Sequence, residues 1–153
     1  MTNNNLSEEK NTMNKKLFMT LSHTWGLLMV IIGYVAMLVL KALGYKAEKY
    51  GWCYHFSVGK NWGGVSLGRV IITDDKTTKH TLNHEHGHAI QNALYGILFP
   101  FIVAIPSAIR YHYRNAQEKK GVELKTEYDD AWFEGQATQW GDEYENIFME
   151  EKE

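Results

Sequence analysis

The hexapeptide Asn83-His84-Glu85-His86-Gly87-His88 decides how the chain is read. Its His84, Glu85 and His88 fit the pattern H-E-x-x-H. Residues four apart on an α-helix differ by about 40° in azimuth and one turn in height, so both imidazoles face one point. That point suits a tetrahedral Zn²⁺ ion. Glu85, beside the first ligand, reaches a water on the ion rather than the ion itself, and can act as general base. Chance alone would place the pattern in roughly three shuffled chains per hundred, so its surroundings carry the weight.

Immediately upstream, Thr77 and Thr78 offer N-cap oxygens for a helix running through both histidines to about Tyr95. Before them, Tyr54–Val58 and Val65–Thr73 are rich in β-branched and aromatic residues and flank the turn Gly59-Lys-Asn-Trp-Gly-Gly64. This is a strand–loop–strand pattern. A strand ahead of such a helix can take up a peptide by strand addition.

Downstream, a glycine three residues after His88 and a histidine six after it would extend the motif, but Gln91 and Leu94 stand there. The third ligand is therefore sought elsewhere. Glu134, within Ala131–Thr138 on a final amphipathic helix over about Tyr128–Phe148, is the favoured candidate and gives a His₂Glu set. Gly135 and Ala137 beside it allow close helix packing. Asp130, one turn earlier, is the rival ligand, or else a partner to a ligand imidazole. Thr138, one turn later, and His80, one turn before His84, are the other candidates for the layer behind the ligands. His86 points about 200° away from His84 and is expected to pack or face solvent. His55 is expected to be structural, His23 and His112 to mark a membrane interface, and Cys53 to be a buried small hydrophobe. Tyr95, His112 and Tyr128 are not ranked by sequence as donors to a reacting oxygen.

Two apolar stretches frame these motifs. Leu17–Leu40 carries no charge over 24 residues, interrupted by Ser22, His23 and Thr24. At about 1.5 Å per residue it is long enough for a hydrocarbon core of about 30 Å, so an N-terminal transmembrane helix is expected over residues 17–43. A signal peptide fits less well, because no small-residue cleavage site follows. Ala93–Ile109 contains Gly96, Pro100 and Pro106 and reads as a broken or shallow segment. Lysines flank the first stretch on both sides (Lys10, Lys15, Lys16; Lys41, Lys46, Lys49), so charge asymmetry does not orient it. Residues 1–16 read as a flexible polar tail.

Length and composition bound the rest. The 153 residues, 44% apolar and 22% charged, make one domain rather than a disordered chain. A net charge of −2 without a basic stripe argues against nucleic acid as a partner. One cysteine forms neither an internal disulfide nor a thiolate cluster. The mean hydropathy of −0.38 conceals the uneven distribution just described.

The ordered set Gly64-Val-Ser-Leu-Gly68, Thr81–Gln91, Leu94-Tyr-Gly96, Pro106-Ser107 and Trp132-Phe-Glu134 with Ala137 resembles a group of short, mostly uncharacterised bacterial membrane-associated proteins. That group is similar in turn to minimal gluzincin-type zinc metallopeptidases. The resemblance covers roughly residues 60–142. It implies His84 and His88 as metal ligands, Glu85 as base and Glu134 as the later ligand. Thr138 departs from the pattern, since gluzincins often carry an aspartate four residues after the ligand glutamate.

The expectation is an α+β, minimal zincin-like domain over residues 44–153, including the hydrophobic segment 93–109, behind a transmembrane helix. Its cofactor would be Zn²⁺, with Glu85 catalytic, and its partners a peptide or protein substrate and a lipid bilayer, at a bacterial cytoplasmic membrane. The expected activity is peptide-bond hydrolysis by Glu-assisted, zinc-bound water. The alternative is a non-catalytic, membrane-anchored metal-binding or interaction protein.

Overall fold

A computed structural model of the chain describes residues 13–150. Residues 1–12 of the expected polar tail lie outside the described residues. The rest of that tail is structured: Met13 is buried in the core, and Lys15 opens the first helix.

Helix α1 (Lys15–His23) starts where the Asn14 side chain accepts the Leu17 backbone N–H at 2.9 Å. Helix α2 (Leu27–Ala42) follows after a bend of 90°. The single helix expected across Leu17–Leu40 is thus two helices, and no single helix among the described residues is long and apolar enough to cross a membrane. The break has a local cause. Gly26 interrupts the apolar run, its carbonyl accepts the Asn92 side chain at 3.3 Å, and the Trp25 indole donates to the Leu94 carbonyl at 3.2 Å. The interrupting polar residues are also used inside the fold. Ser22 is buried, and His23 bonds the Met19 carbonyl at 2.8 Å and the Tyr34 hydroxyl at 3.1 Å.

Four strands form one small mixed sheet in the order β1-β2-β4-β3: β1 (Glu48–Tyr50), β2 (Cys53–Ser57), β3 (Gly64–Leu67) and β4 (Val70–Thr73). β2 and β4 run parallel, and the other pairs are antiparallel. The run Val65–Thr73, read as one strand from its composition, is a tight hairpin turning at Gly68, whose φ of 61° suits glycine. β3 lies at the edge of the sheet. Met29, Val30 and Gly33 of α2 pack on this hairpin so closely that a Cβ at Gly33 would overlap the Leu67 carbonyl. α2 is therefore an integral layer of the domain.

Helix α3 (Lys79–Tyr95) begins at Thr78, whose hydroxyl accepts the Thr81 N–H at 3.2 Å. It crosses the sheet and buries Ala89, Ile90 and Ala93 against Phe18, Trp52 and Ile71. The apolar stretch after it takes a broken course through a 3₁₀ turn (Gly96–Leu98) and a π-helical turn (Pro100–Ala104), with a bend of 118° into α4 (Ile105–Lys119). Most of the charged stretch Arg110–Lys125 is the second half of α4. A 3₁₀ turn (Tyr128–Asp130), α5 (Trp132–Glu143) and α6 (Glu145–Glu150) close the described chain. The architecture is α+β, with the sheet on one side of α3 and α5 on another.

Candidate metal centre

Three ligand-type side chains meet between α3 and α5. His84 Nε2 lies 3.1 Å and His88 Nε2 3.2 Å from the same oxygen, Oε2, of Glu134. Two of them come from one helical face, as the i, i+4 spacing requires, and the third from the first turn of α5. There the amide dipoles favour a carboxylate. The helices come this close because glycine and alanine line their seam. A Cβ at Gly87 would overlap the Ala137 carbonyl, and one at Gly141 the Asn83 carbonyl.

The layer behind the ligands is distinct for each imidazole. His84 Nδ1 lies 2.8 Å from the Thr138 hydroxyl. His88 Nδ1 lies 2.7 Å from Gln91 Oε1. The Gln91 amide cannot turn over without loss, since its nitrogen donates to the Phe133 carbonyl at 2.8 Å and to Gln136 Oε1 at 3.0 Å. Tyr95 also donates to Gln136 Oε1, at 2.7 Å. Gln91 must therefore accept, a proton sits on His88 Nδ1, and Nε2 is the nitrogen that faces the Glu134 carboxylate. A lone pair facing an anion is unfavourable unless a cation lies between them or the ring takes a second proton.

The electrostatics show the same frustration. Burial pushes the Glu134 carboxyl upward, but hydrogen bonds from His84 and His88 outweigh it and hold the group well below the usual range. Burial also disfavours protonated His88, while Glu134 and the Glu85 charge raise its pKa overall. Glu134 is fully buried and its Oε1 has no hydrogen-bond partner. A divalent cation would take up the orphan oxygen and both converging Nε2 atoms, so His84, His88 and Glu134 form a group fit to hold a metal ion.

Glu85 is buried beneath the start of β3, where a Cβ at Gly64 would meet its Oε1 at 2.7 Å. Its other oxygen, Oε2, has no partner. Burial raises its pKa, against the lowering effect of His88 and His84. It lines a cleft of about 650 Å³ that also exposes His84 and His88. The cleft is bounded by the edge strand β3 on one side and α4 on the other.

The remaining candidates separate cleanly. Asp130 is exposed, and its carboxylate accepts the Glu127 N–H at 2.9 Å to cap the 3₁₀ turn, so it joins neither the ligands nor the layer behind them. His80 is exposed at the mouth of an adjoining depression. His86 is fully buried, stacked 3.8 Å from the Phe148 ring, and accepts the Trp52 N–H at 3.3 Å. His55 is buried on β2 and bonds the Thr73 hydroxyl at 2.8 Å, and His112 is exposed and lines the cleft. Burial pushes the Cys53 thiol up to about 12, which leaves it inert.

Two residues were not legible as site members. In the sequence Gln91 stands only as a break in a longer motif, although its i+3 position from His88 is a usable signal. Tyr128 could not be ranked from sequence. Its carbonyl accepts Arg110 Nε at 3.1 Å, and the guanidinium groups of Arg110 and Arg114 each lie 5.8 Å from its ring. This clamp from α4 sets the phenol beside Glu134 and Ser107 and against the cleft.

No protein-family model, curated protein or solved structure matches this chain.

Proposed function

We propose that the protein is a zinc-dependent peptidase of minimal zincin-like build that works at a membrane surface. One observation carries the peptidase reading: Glu85 is a buried carboxylate with an unpartnered oxygen, held at a cleft beside a His₂Glu group. A purely structural metal site gains nothing from such a group, and its burial is costly. The two imidazole ligands favour zinc over magnesium or calcium.

His84, His88 and Glu134 would hold the ion. When bound it supplies a Lewis acid for a peptide carbonyl and lowers the pKa of water. Glu85 accepts a proton from the attacking water as the water oxygen bonds to the scissile carbonyl carbon. It returns that proton to the amide nitrogen as the C–N bond breaks, leaving a carboxylate and a free amine. Its raised pKa suits both directions of transfer. Tyr128 donates its phenolic hydrogen to the carbonyl oxygen as charge develops there. Burial, reinforced by the Glu134 charge, raises its pKa, so it stays protonated.

The membrane part is supported by apolar surface on two neighbouring elements. Ile31, Val35 and Leu38 of α2, with Ile97, Phe101 and Ile109 of the broken segment, are each at least half exposed, Leu38 at 66% and Phe101 at 65%. An apolar face of this kind beds into the headgroup boundary without spanning the bilayer.

The test is hydrolysis of an unstructured peptide by the zinc-loaded full chain. Cleavage is expected, lost on chelation and lost in Glu85→Gln. If wild type and Glu85→Gln hold zinc equally and neither cleaves, the chain is a non-catalytic metal-binding module. For the membrane part, flotation with anionic vesicles should survive high salt, and release by salt alone would contradict an embedded apolar face.

A further inference from the structure

The cleft over the metal group changes character along its length, and the change has a direction. At one end Met29, Leu67, Phe99 and Val103 meet in one cluster, close to His88, whose ring lies 6.5 Å from that of Phe99. From there a single strip of α4 and the residue that precedes it runs along the wall: Ala104, Ser107 and Ala108, then Tyr111 and His112, then Asn115 and Lys119. Fifteen residues at about 1.5 Å each separate the ends of that strip by roughly 20 Å. At the far end the cleft joins a depression lined by His80, Thr81, Arg114 and Glu118. His84 and Glu85 line both parts, so the reacting group sits where the lining turns from apolar to polar.

The opposite wall is β3, an edge strand whose outer side pairs with no strand among the described residues. An unpaired edge accepts an extended chain through its own N–H and C=O groups. Side chains of that guest then meet the graded lining. The segment that supplies Phe99 and Val103 to this end also carries the exposed Leu98, Phe101 and Ile105. The occupant that satisfies all three features is an extended polypeptide with unlike halves.

We infer that this site takes a polypeptide at the junction between an apolar segment and its polar flank, with the scissile bond at or next to the junction. The inference rests on the peptidase reading for the cut, but not for the binding preference. Desolvating three or four large apolar side chains at one end favours the correct guest. Polar residues placed there would lose their hydration without recovering hydrogen bonds. The polar half offers Asn115, His112 and Lys119 as partners instead.

Three peptides of identical composition test this: a block of Leu, Phe and Val joined to a block of Ser, Gln, Asn and Glu in each of the two block orders, and the same residues scrambled. With the zinc-loaded full chain, at least one block order should be cleaved at least 10-fold more efficiently than the scramble, with cuts mapped by mass spectrometry to within two residues of the junction. Equal efficiency and scattered cuts would overturn the inference while leaving the peptidase reading intact. Binding of the same peptides to zinc-loaded Glu85→Gln, followed by fluorescence anisotropy, separates the two claims. Tighter binding of a block peptide with no hydrolysis by wild type would retire the peptidase and keep the ligand class. Equal binding, or displacement of every peptide by phospholipid alone, would retire the ligand class. Ala104→Glu should reduce the block preference at least 5-fold, and an unchanged preference in a folded Ala104→Glu protein would contradict the assigned apolar end.

Discussion

Nδ1 of His88 donates to Gln91 Oε1 at 2.7 Å, one turn along the same helix, and this bond leaves Nε2 to face Glu134. The tautomer is thus set by a residue outside the metal-ligand pattern. Gln91→Leu removes the acceptor while keeping an apolar body of similar size. Zinc affinity should fall by about 10-fold or more, the usual cost of losing a partner behind a ligand imidazole. Competition against a chelator of known affinity measures it, and an unchanged affinity would mean that Gln91 is only packing.

His86 shares the hexapeptide with the ligands but belongs to the aromatic core of Phe18, Trp52 and Phe148. Burial lowers its pKa to about 3. The unfolded chain therefore takes up a proton on this residue from about pH 6.5 downward, and the folded chain does not until about pH 3. Stability contributed by neutral His86 is full above pH 6.5 and is lost progressively as the pH falls through that window. The loss should reach about 2 kcal/mol by pH 5. Urea unfolding of the metal-free protein, compared with metal-free His86→Gln, isolates the effect because His84 and His88 are common to both. The variant should show a shallower decline between pH 6.5 and 5, and identical slopes would place His86 in a wetter setting than its packing indicates.

Tyr128 is held by Arg110 and Arg114 so that its phenol stands beside the carboxylate of Glu134 without being one of the three converging ligands. Tyr128→Phe should lower kcat by about 10²-fold, in the range seen when one donor to a developing oxyanion is removed. KM and zinc content should change little. A large rise in KM with kcat preserved would instead assign Tyr128 to substrate holding.

Much of the centre could be read from spacing. The i, i+4 pair His84 and His88, the direction of His86 away from the ligands and the small residues around Glu134 follow from helical geometry. The N-cap at Thr78 did too. What escaped depended on contacts between segments distant in sequence. The run Leu17–Leu40 has the length and composition of a membrane span, yet Gly26 breaks it where Asn92 and Trp25 tie it to the end of α3. Val65–Thr73 has uniform strand propensity, and only the positive φ at Gly68 turns it into a hairpin. Arg110–Lys119 is too charged to look like an element of the core, because one of its faces lines a cleft and another binds the loop that carries Tyr128. Asp130 had the right chemistry and helical offset for a ligand, but its backbone sits in a 3₁₀ turn that consumes the carboxylate as a cap.

The account divides two glutamates at one ion: Glu134 as ligand and Glu85 as base. Zinc dissociation constants for wild type, Glu134→Ala and Glu85→Gln, set against each protein's rate of peptide hydrolysis, test that division most directly. The prediction is that Glu134→Ala weakens zinc binding by at least about 10-fold, whereas Glu85→Gln retains zinc and loses about 10²-fold or more in hydrolysis. Unchanged zinc affinity in Glu134→Ala, or undiminished hydrolysis in Glu85→Gln, would contradict it.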